Sequence, residues 1–327
     1  MSRKLLFFLI LAVFALAVYA LTGRDFDSQL FFESLAGVRP AWLVASIGIT
    51  FLSYGIRSIR WQILLISLKP IKLAHLMSAN LLGFSAIYVL GRAGEFVRPV
   101  WIARREGVAM AGSFAAIIVE RVFDTIMLIL LFAATIGTAQ LPISAQGAIG
   151  LLTTSTWLLL GISTGAMLAF IIFHKHIDKV TVYIPFRRLV GMLEQFAEGL
   201  AITGNWKNLG LTTVYSFLLW LVIALQFWFM MFGLNFDFTF QSATLVLVAS
   251  AIGSIAQVPG IGGGFQAAFI FCVTTLFLVP LETAVAASLL AWFFTIVPTM
   301  VVAAFYMLWK GVSAKDLMGP EEGLTTP

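Results

Sequence analysis

The chain has 327 residues, of which 61% are hydrophobic and only 11% charged. Soluble domains carry roughly 25% charged residues, so this composition cannot cover an ordinary water-facing surface and must place much of it in lipid. The net charge of +5 does not read as a nucleic-acid footprint, because the basic residues sit at the ends of apolar runs, where they act as topology signals and headgroup contacts.

Arg3 and Lys4 precede an apolar run over 5–21 that ends in Val18-x-Ala20. A signal peptide would have the same outline, but the run is long for one, and an uncleaved first helix is the preferred reading. A second helix is expected over 40–57, opened by Pro40 at a first-turn position. Arg60, Trp61, Lys69 and Lys72 then read as an interfacial stretch.

The run 73–90 stops at Gly91-Arg92-Ala93-Gly94-Glu95, and a second run over 96–103, too short to span, ends at Arg104-Arg105. The pair is expected to form a re-entrant hairpin. Long helices follow over 109–137 and 150–173. The polar stretch 174–207 has apolar residues at 3–4 spacing, the pattern of an amphipathic helix on the cytoplasmic membrane surface. A helix over 209–232 leads to a second broken segment, 242–279, interrupted by Pro259-Gly260-Ile261-Gly262-Gly263-Gly264. A last helix covers 282–310, and the tail over 312–327 is expected to be disordered.

The fold class that emerges is an all-α polytopic membrane protein, a single transmembrane domain of about six transmembrane helices plus two re-entrant helical hairpins. Residues 40–137 and 209–310 repeat the same order of elements in opposite orientation, an inverted-topology repeat of the kind secondary transporters use. With both termini in the cytoplasm, fifteen of the twenty Lys and Arg residues fall on that side, Arg57 and Arg60 among them.

Charged groups at membrane depth are the candidate site. Arg92, Glu95 and Arg98 lie within seven residues at the first hairpin tip, and Glu95 can pair with Arg98 three positions on. Gly91 and Gly94 free the backbone to reverse. On the long helix, Glu120 and Asp124 share a face near the bilayer centre beside Arg121. Arg92, Arg98 and Arg121 are the expected holders of an anionic headgroup, positioned by Glu95, Glu120 and Asp124. In the second hairpin Gln266 is the polar handle. Its glycines, with Pro259, free backbone groups that are tolerable at depth only inside protein or beside water.

Bland readings suit the rest. Cys272 is a small core residue, and His75, His174 and His176 are scattered. Trp42, Trp61, Trp101, Trp206 and Trp309 look like interfacial anchors. No Cys/His cluster, Walker loop, dinucleotide fingerprint or Ser/His/Asp grouping appears, so neither metal nor cofactor is expected.

The stretch GRAGEFVRPVWIARREGVAMAGSFAAIIVERVFD resembles the lysylphosphatidylglycerol synthase transmembrane-region, or flippase-like domain, family. The matching positions are Gly91, Gly94, Glu95, Arg98, Arg104, Arg105, Gly107, Glu120, Arg121 and Asp124, with a looser match at 259–267. Gln266 stands where many relatives carry glutamate, and Trp292 lies where relatives often carry Tyr-Arg. The resemblance covers nearly the whole chain and implies lipid handling in the cell membrane. Some members are fused to aminoacyl-transferase domains that make lysyl lipids, and others are linked to hopanoid or polyprenyl-glycolipid pathways. With no transferase domain in view, the leading expectation is a transporter or flippase for a phospholipid or a polyprenyl-linked or hopanoid-type lipid. Its basic face would meet anionic headgroups, and a homo-oligomer or a lipid-synthesis complex would be its partner. The alternatives are a membrane-embedded enzyme or an accessory scaffold in lipid or glycolipid synthesis.

Overall fold

The computed structural model describes residues 26–136, 138, 146–181, 186–258 and 262–313. The expected first helix, Pro259 and Gly260, and nearly all of the expected tail lie outside them.

A short helix, α1 (Ser28–Ala36), is capped by Asp27, whose carboxylate accepts from the backbone N–H groups of Gln29 and Leu30. Then come α2 (Pro40–Leu64), α3 (Leu73–Leu90), a 3-10 turn over Gly91–Phe96, α4 (Val97–Glu106), α5 (Met110–Ile136), α6 (Gln146–Thr181) and α7 (Arg187–Gly199). The second half holds α8 (Trp206–Gly233), α9 (Phe240–Gly253), a 3-10 turn over Ser254–Ala256, α10 (Gly264–Phe277) and α11 (Leu281–Lys310). Between α9 and α10, Gln257 and Val258 pair antiparallel with Gly263 and Gly262. Among the described residues the protein is thus all-α apart from this bridge.

Among the described residues, five helices are long and apolar enough to cross a membrane: α2, α3, the 149–166 part of α6, α8 and α11. At 27 residues, or about 40 Å, α5 also has the length, but three charges interrupt its middle.

Each broken segment folds back on itself. Lys69 and His75, at the start of the first hairpin, both contact Glu106 at its end. In the second, the Phe238 ring packs at a tilt against Phe277, with centroids 4.6 Å apart. Both crossings rest on glycine. A Cβ on Gly94 would lie 2.3 Å from the Ala86 backbone, and one on Gly253 would lie 2.3 Å from the Gly264 carbonyl oxygen. At the tip of the first hairpin, Gly91 adopts φ +64°, a left-handed conformation that side chains disfavour.

The hairpins enter from opposite ends. The N–H of Arg39, which precedes α2, donates to the carbonyl of Gly233, which ends α8, so these two helices run antiparallel along a long contact. The first hairpin opens at the C-terminal end of α2 and the second at the C-terminal end of α8. Packing is reciprocal: α3 leans on α11, α9 leans on α5, and the two tips touch. Two large apolar cores and a small third, around Phe132, Leu245 and Val248, result among the described residues. One large core gathers Trp61, Leu76, Ile102 and Val119, and the other Met230, Val246, Phe269 and Val273.

Several expectations need correction. The second helix continues past residue 57 to Leu64, because the apolar pattern runs on, so Arg60 and Trp61 are fully buried rather than interfacial. Trp101 is also buried, whereas Trp206 and Trp309 are exposed as anchors would be. The helix expected over 150–173 spans Gln146–Thr181 and kinks at His176. The amphipathic segment is reduced to α7, which docks on α5 where Gly199 meets Gly112 and buries Ala197. Cys272 is buried in the second core.

Candidate functional site

Glu120 is the hub of a buried ion network. Its Oε2 accepts from Arg98 Nη2 at 2.8 Å, and its Oε1 from Arg60 Nη2 at 2.9 Å. Arg57 Nη1 reaches the same Oε1 at 3.4 Å. One turn on, Asp124 Oδ1 accepts from Arg60 Nη1 at 2.7 Å and from the Trp220 indole at 3.1 Å, while its Oδ2 accepts from Arg121 at 3.3 Å. Arg60 also donates to Ser216 on α8. Four helices, α2, α4, α5 and α8, are therefore tied together by charge-assisted hydrogen bonds, which are strong where water is excluded.

Arg98 is held twice. Its guanidinium lies 4.4 Å from the Trp61 ring as well as on Glu120. Gly83 makes this possible, since a Cβ there would lie 2.2 Å from Arg98 Cγ. Arg98 and Glu120 have essentially no solvent exposure.

Beside the network lies a cavity of about 260 Å³ between the hairpins. Arg57, Glu95, Arg121 and Trp292 form its polar wall, and Phe84, Ile223, Leu247 and Phe265 form much of the remainder. Arg121 Nε and Glu95 Oε2 face each other at 3.8 Å. The Arg57 guanidinium lies 4.5 Å from the Phe84 ring. A wall that combines charged and apolar side chains suits a molecule with a polar head and a hydrocarbon body.

The sequence-derived site residues are thus sorted by depth. Glu95 and Arg121 line the cavity. Arg98, Glu120 and Asp124 lie behind it as the network that fixes it, and Arg98 points to Glu120 rather than to Glu95. The Gln266 side chain accepts from the Gly263 N–H at 2.8 Å and so caps α10. Gly91 and Gly94 shape the first tip, and Gly262, Gly263 and Gly264 the second. The Arg92 side chain lies outside the described residues. Sequence reasoning missed Arg57, Arg60, Trp220 and Ser216. A usable signal was present: two carboxylates one turn apart on α5 need cations from another helix, and Arg57 and Arg60 share a face three residues apart.

The family model for the lysylphosphatidylglycerol synthase TM region matches residues 6–303, which takes in every residue of this network. The chain belongs to that family. Membership makes it a membrane protein tied to lipid metabolism. Neither a curated protein nor a solved structure matches it.

Proposed function

We propose that this protein moves a lipid across or within the membrane, with the cavity between the two hairpins receiving the polar headgroup and the tails remaining in lipid. The observation that carries this reading is the cavity's mixed lining, in which Arg57, Glu95 and Arg121 stand among Phe84, Leu247 and Phe265. Ionised groups at membrane depth cost at least a few kcal/mol unless paired or wetted, and here they are concentrated beside one space.

On this reading both hairpins are re-entrant. At ten residues, or about 15 Å, α4 is too short to cross a bilayer. The hairpins open on opposite sides, so either can rock against the other repeat to expose the cavity alternately. A second cavity, of about 220 Å³, lies between α1 and α11 and is lined by Glu33, Ser34 and Thr283. The same helix, α11, lines both spaces, with Thr283 in this one and Trp292 and Thr295 in the central one.

The end carrying Lys69, Lys72, Arg104, Arg105, Lys207 and Lys310 faces the cytoplasm of an inner membrane. The end carrying Asp27, Glu33, Asp237 and Glu282 faces outward. Moving Arg57 and Arg60 into the network still leaves thirteen of the twenty basic residues on the cytoplasmic side.

The test is reconstitution into vesicles with a headgroup-labelled lipid. Wild-type protein should speed exchange between leaflets, and Arg121→Gln, still monodisperse, should lose most of it. Exchange no faster than in protein-free vesicles would overturn the proposal.

A further inference from the structure

The polar groups around the central cavity do not balance. Among the described side chains, the network holds four guanidinium groups, Arg57, Arg60, Arg98 and Arg121, against three carboxylates, Glu95, Glu120 and Asp124. Arg60 and Arg98 take the short contacts to Glu120 and are sealed away from the cavity. Arg57 is left with a 3.4 Å contact to an oxygen that Arg60 already holds at 2.9 Å, and its side chain is 13% exposed. It is the surplus cation.

Two further donors lack acceptors beside the same space. Trp292 Nε1 and Arg121 Nε are buried with no hydrogen-bond partner in the protein. The 3.8 Å from Arg121 Nε to Glu95 is too long for a hydrogen bond. A buried donor without a partner is costly, so two of them with an unbalanced cation call for a ligand that supplies acceptor oxygens.

We infer that the cavity binds a singly charged phosphodiester, the head of an anionic phospholipid, with Arg57 and Arg121 on its non-bridging oxygens and the Trp292 N–H donating to it. This rests on the reading above, in which the cavity receives a lipid headgroup, and it specifies that head. The surplus among the described groups is positive, which matches an anionic phosphodiester. A head with net positive charge would add to that surplus, and Glu95, the carboxylate among the described residues of the cavity wall, already faces Arg121. The departure at Trp292 acquires a role, since an indole supplies a neutral donor that adds no charge to the site.

The experiment is lipid competition on the full-length protein in zwitterionic nanodiscs, read by native mass spectrometry. The probes are short-chain phosphatidylglycerol, phosphatidylcholine, lysyl-phosphatidylglycerol and inorganic phosphate. Phosphatidylglycerol should be retained about tenfold over phosphatidylcholine and over the lysyl lipid, the scale of one charge-assisted hydrogen bond. Arg57→Gln should abolish that preference, Arg57→Lys should keep most of it, and Trp292→Phe should weaken phosphatidylglycerol several-fold with an unchanged melting temperature. If Arg57→Gln does not fold, Trp292→Phe and Arg57→Lys still decide the matter.

Equal retention of phosphatidylglycerol and phosphatidylcholine, or a preference untouched by Trp292→Phe and Arg57→Gln, overturns the inference. Displacement by inorganic phosphate at equal concentration overturns the lipid assignment. Selective binding without transport would keep this inference and refute the transport reading. Transport of anionic and zwitterionic lipids at equal rates would do the reverse.

Discussion

Arg60 and Asp124, 64 residues apart in the chain, meet at 2.7 Å with side-chain exposures of 0% and 7%. Removing either partner leaves the other, now held by Glu120 or by Arg121 and Trp220, short of a counter-charge where water cannot reach, a loss of up to about 3–5 kcal/mol. Arg60→Met and Asp124→Leu should each lower the melting temperature sharply. The double variant should lose less than the sum, with a coupling of about 1–3 kcal/mol in a double-mutant cycle. Purely additive losses would show that the pair is not a unit.

Gly83 is predicted to be indispensable for a reason unrelated to backbone freedom. Alanine there would collide with the aliphatic stem of Arg98 and push its guanidinium off Glu120 and Trp61. Overpacking of this kind costs about 1–3 kcal/mol. Gly83→Ala should destabilise the protein by at least that much, whereas Gly48→Ala, with nothing within 4 Å, should be nearly silent in the same thermal unfolding assay.

Topology gives a prediction independent of chemistry. With Cys272 replaced by serine, a single cysteine introduced at Lys72 should react with an impermeant maleimide only from the cytoplasmic side, and one at Glu282 only from the outer side. Labelling of both from one side would contradict hairpins that open at opposite ends.

The base of the first hairpin is expected to loosen in acid. The hydrogen bond from His75 holds the Glu106 carboxyl below the ordinary carboxylate range, and Lys69 adds to this. Because the folded-state pKa lies below the unfolded one, the contribution is complete above about pH 4.3 and is lost as pH falls through the lowered value. Glu106→Gln should therefore show a smaller fall in melting temperature than wild type between neutral and strongly acidic buffer. Equal falls would assign the acid sensitivity elsewhere.

Much of this architecture was legible in the sequence because it rests on local signals. Runs of apolar residues, the breaks at Gly91–Gly94 and 259–264, and the sidedness of lysine and arginine each follow from how a chain meets lipid. The charges at Glu95, Arg98, Glu120, Arg121 and Asp124 were conspicuous for the same reason. What local signals could not convey was who pairs with whom. Arg57 and Arg60 looked like the basic end of a helix, because a cation near the end of an apolar run is ordinarily an anchor. Their burial depends on α5 and α8 packing beside α2, a tertiary fact. Likewise Trp61 has the position of a belt residue, yet lies under the Arg98 guanidinium. Gln266 looked like a ligand group, yet its oxygen is taken by the Gly263 N–H at the start of its own helix.

The central claim is that the space between the two hairpins holds the headgroup, and headgroup photo-crosslinking tests it most directly. A phospholipid with a diazirine in its head, irradiated with the protein in nanodiscs and mapped by peptide mass spectrometry, should mark the segments around Phe84–Glu95 and Trp292–Ile296, and Arg57→Gln should reduce that mark. The 149–166 part of α6, only 12% buried, is the built-in control for lipid that merely surrounds the protein. Label confined to that surface, around Trp157 and Leu158, with none on the cavity wall, would contradict the account.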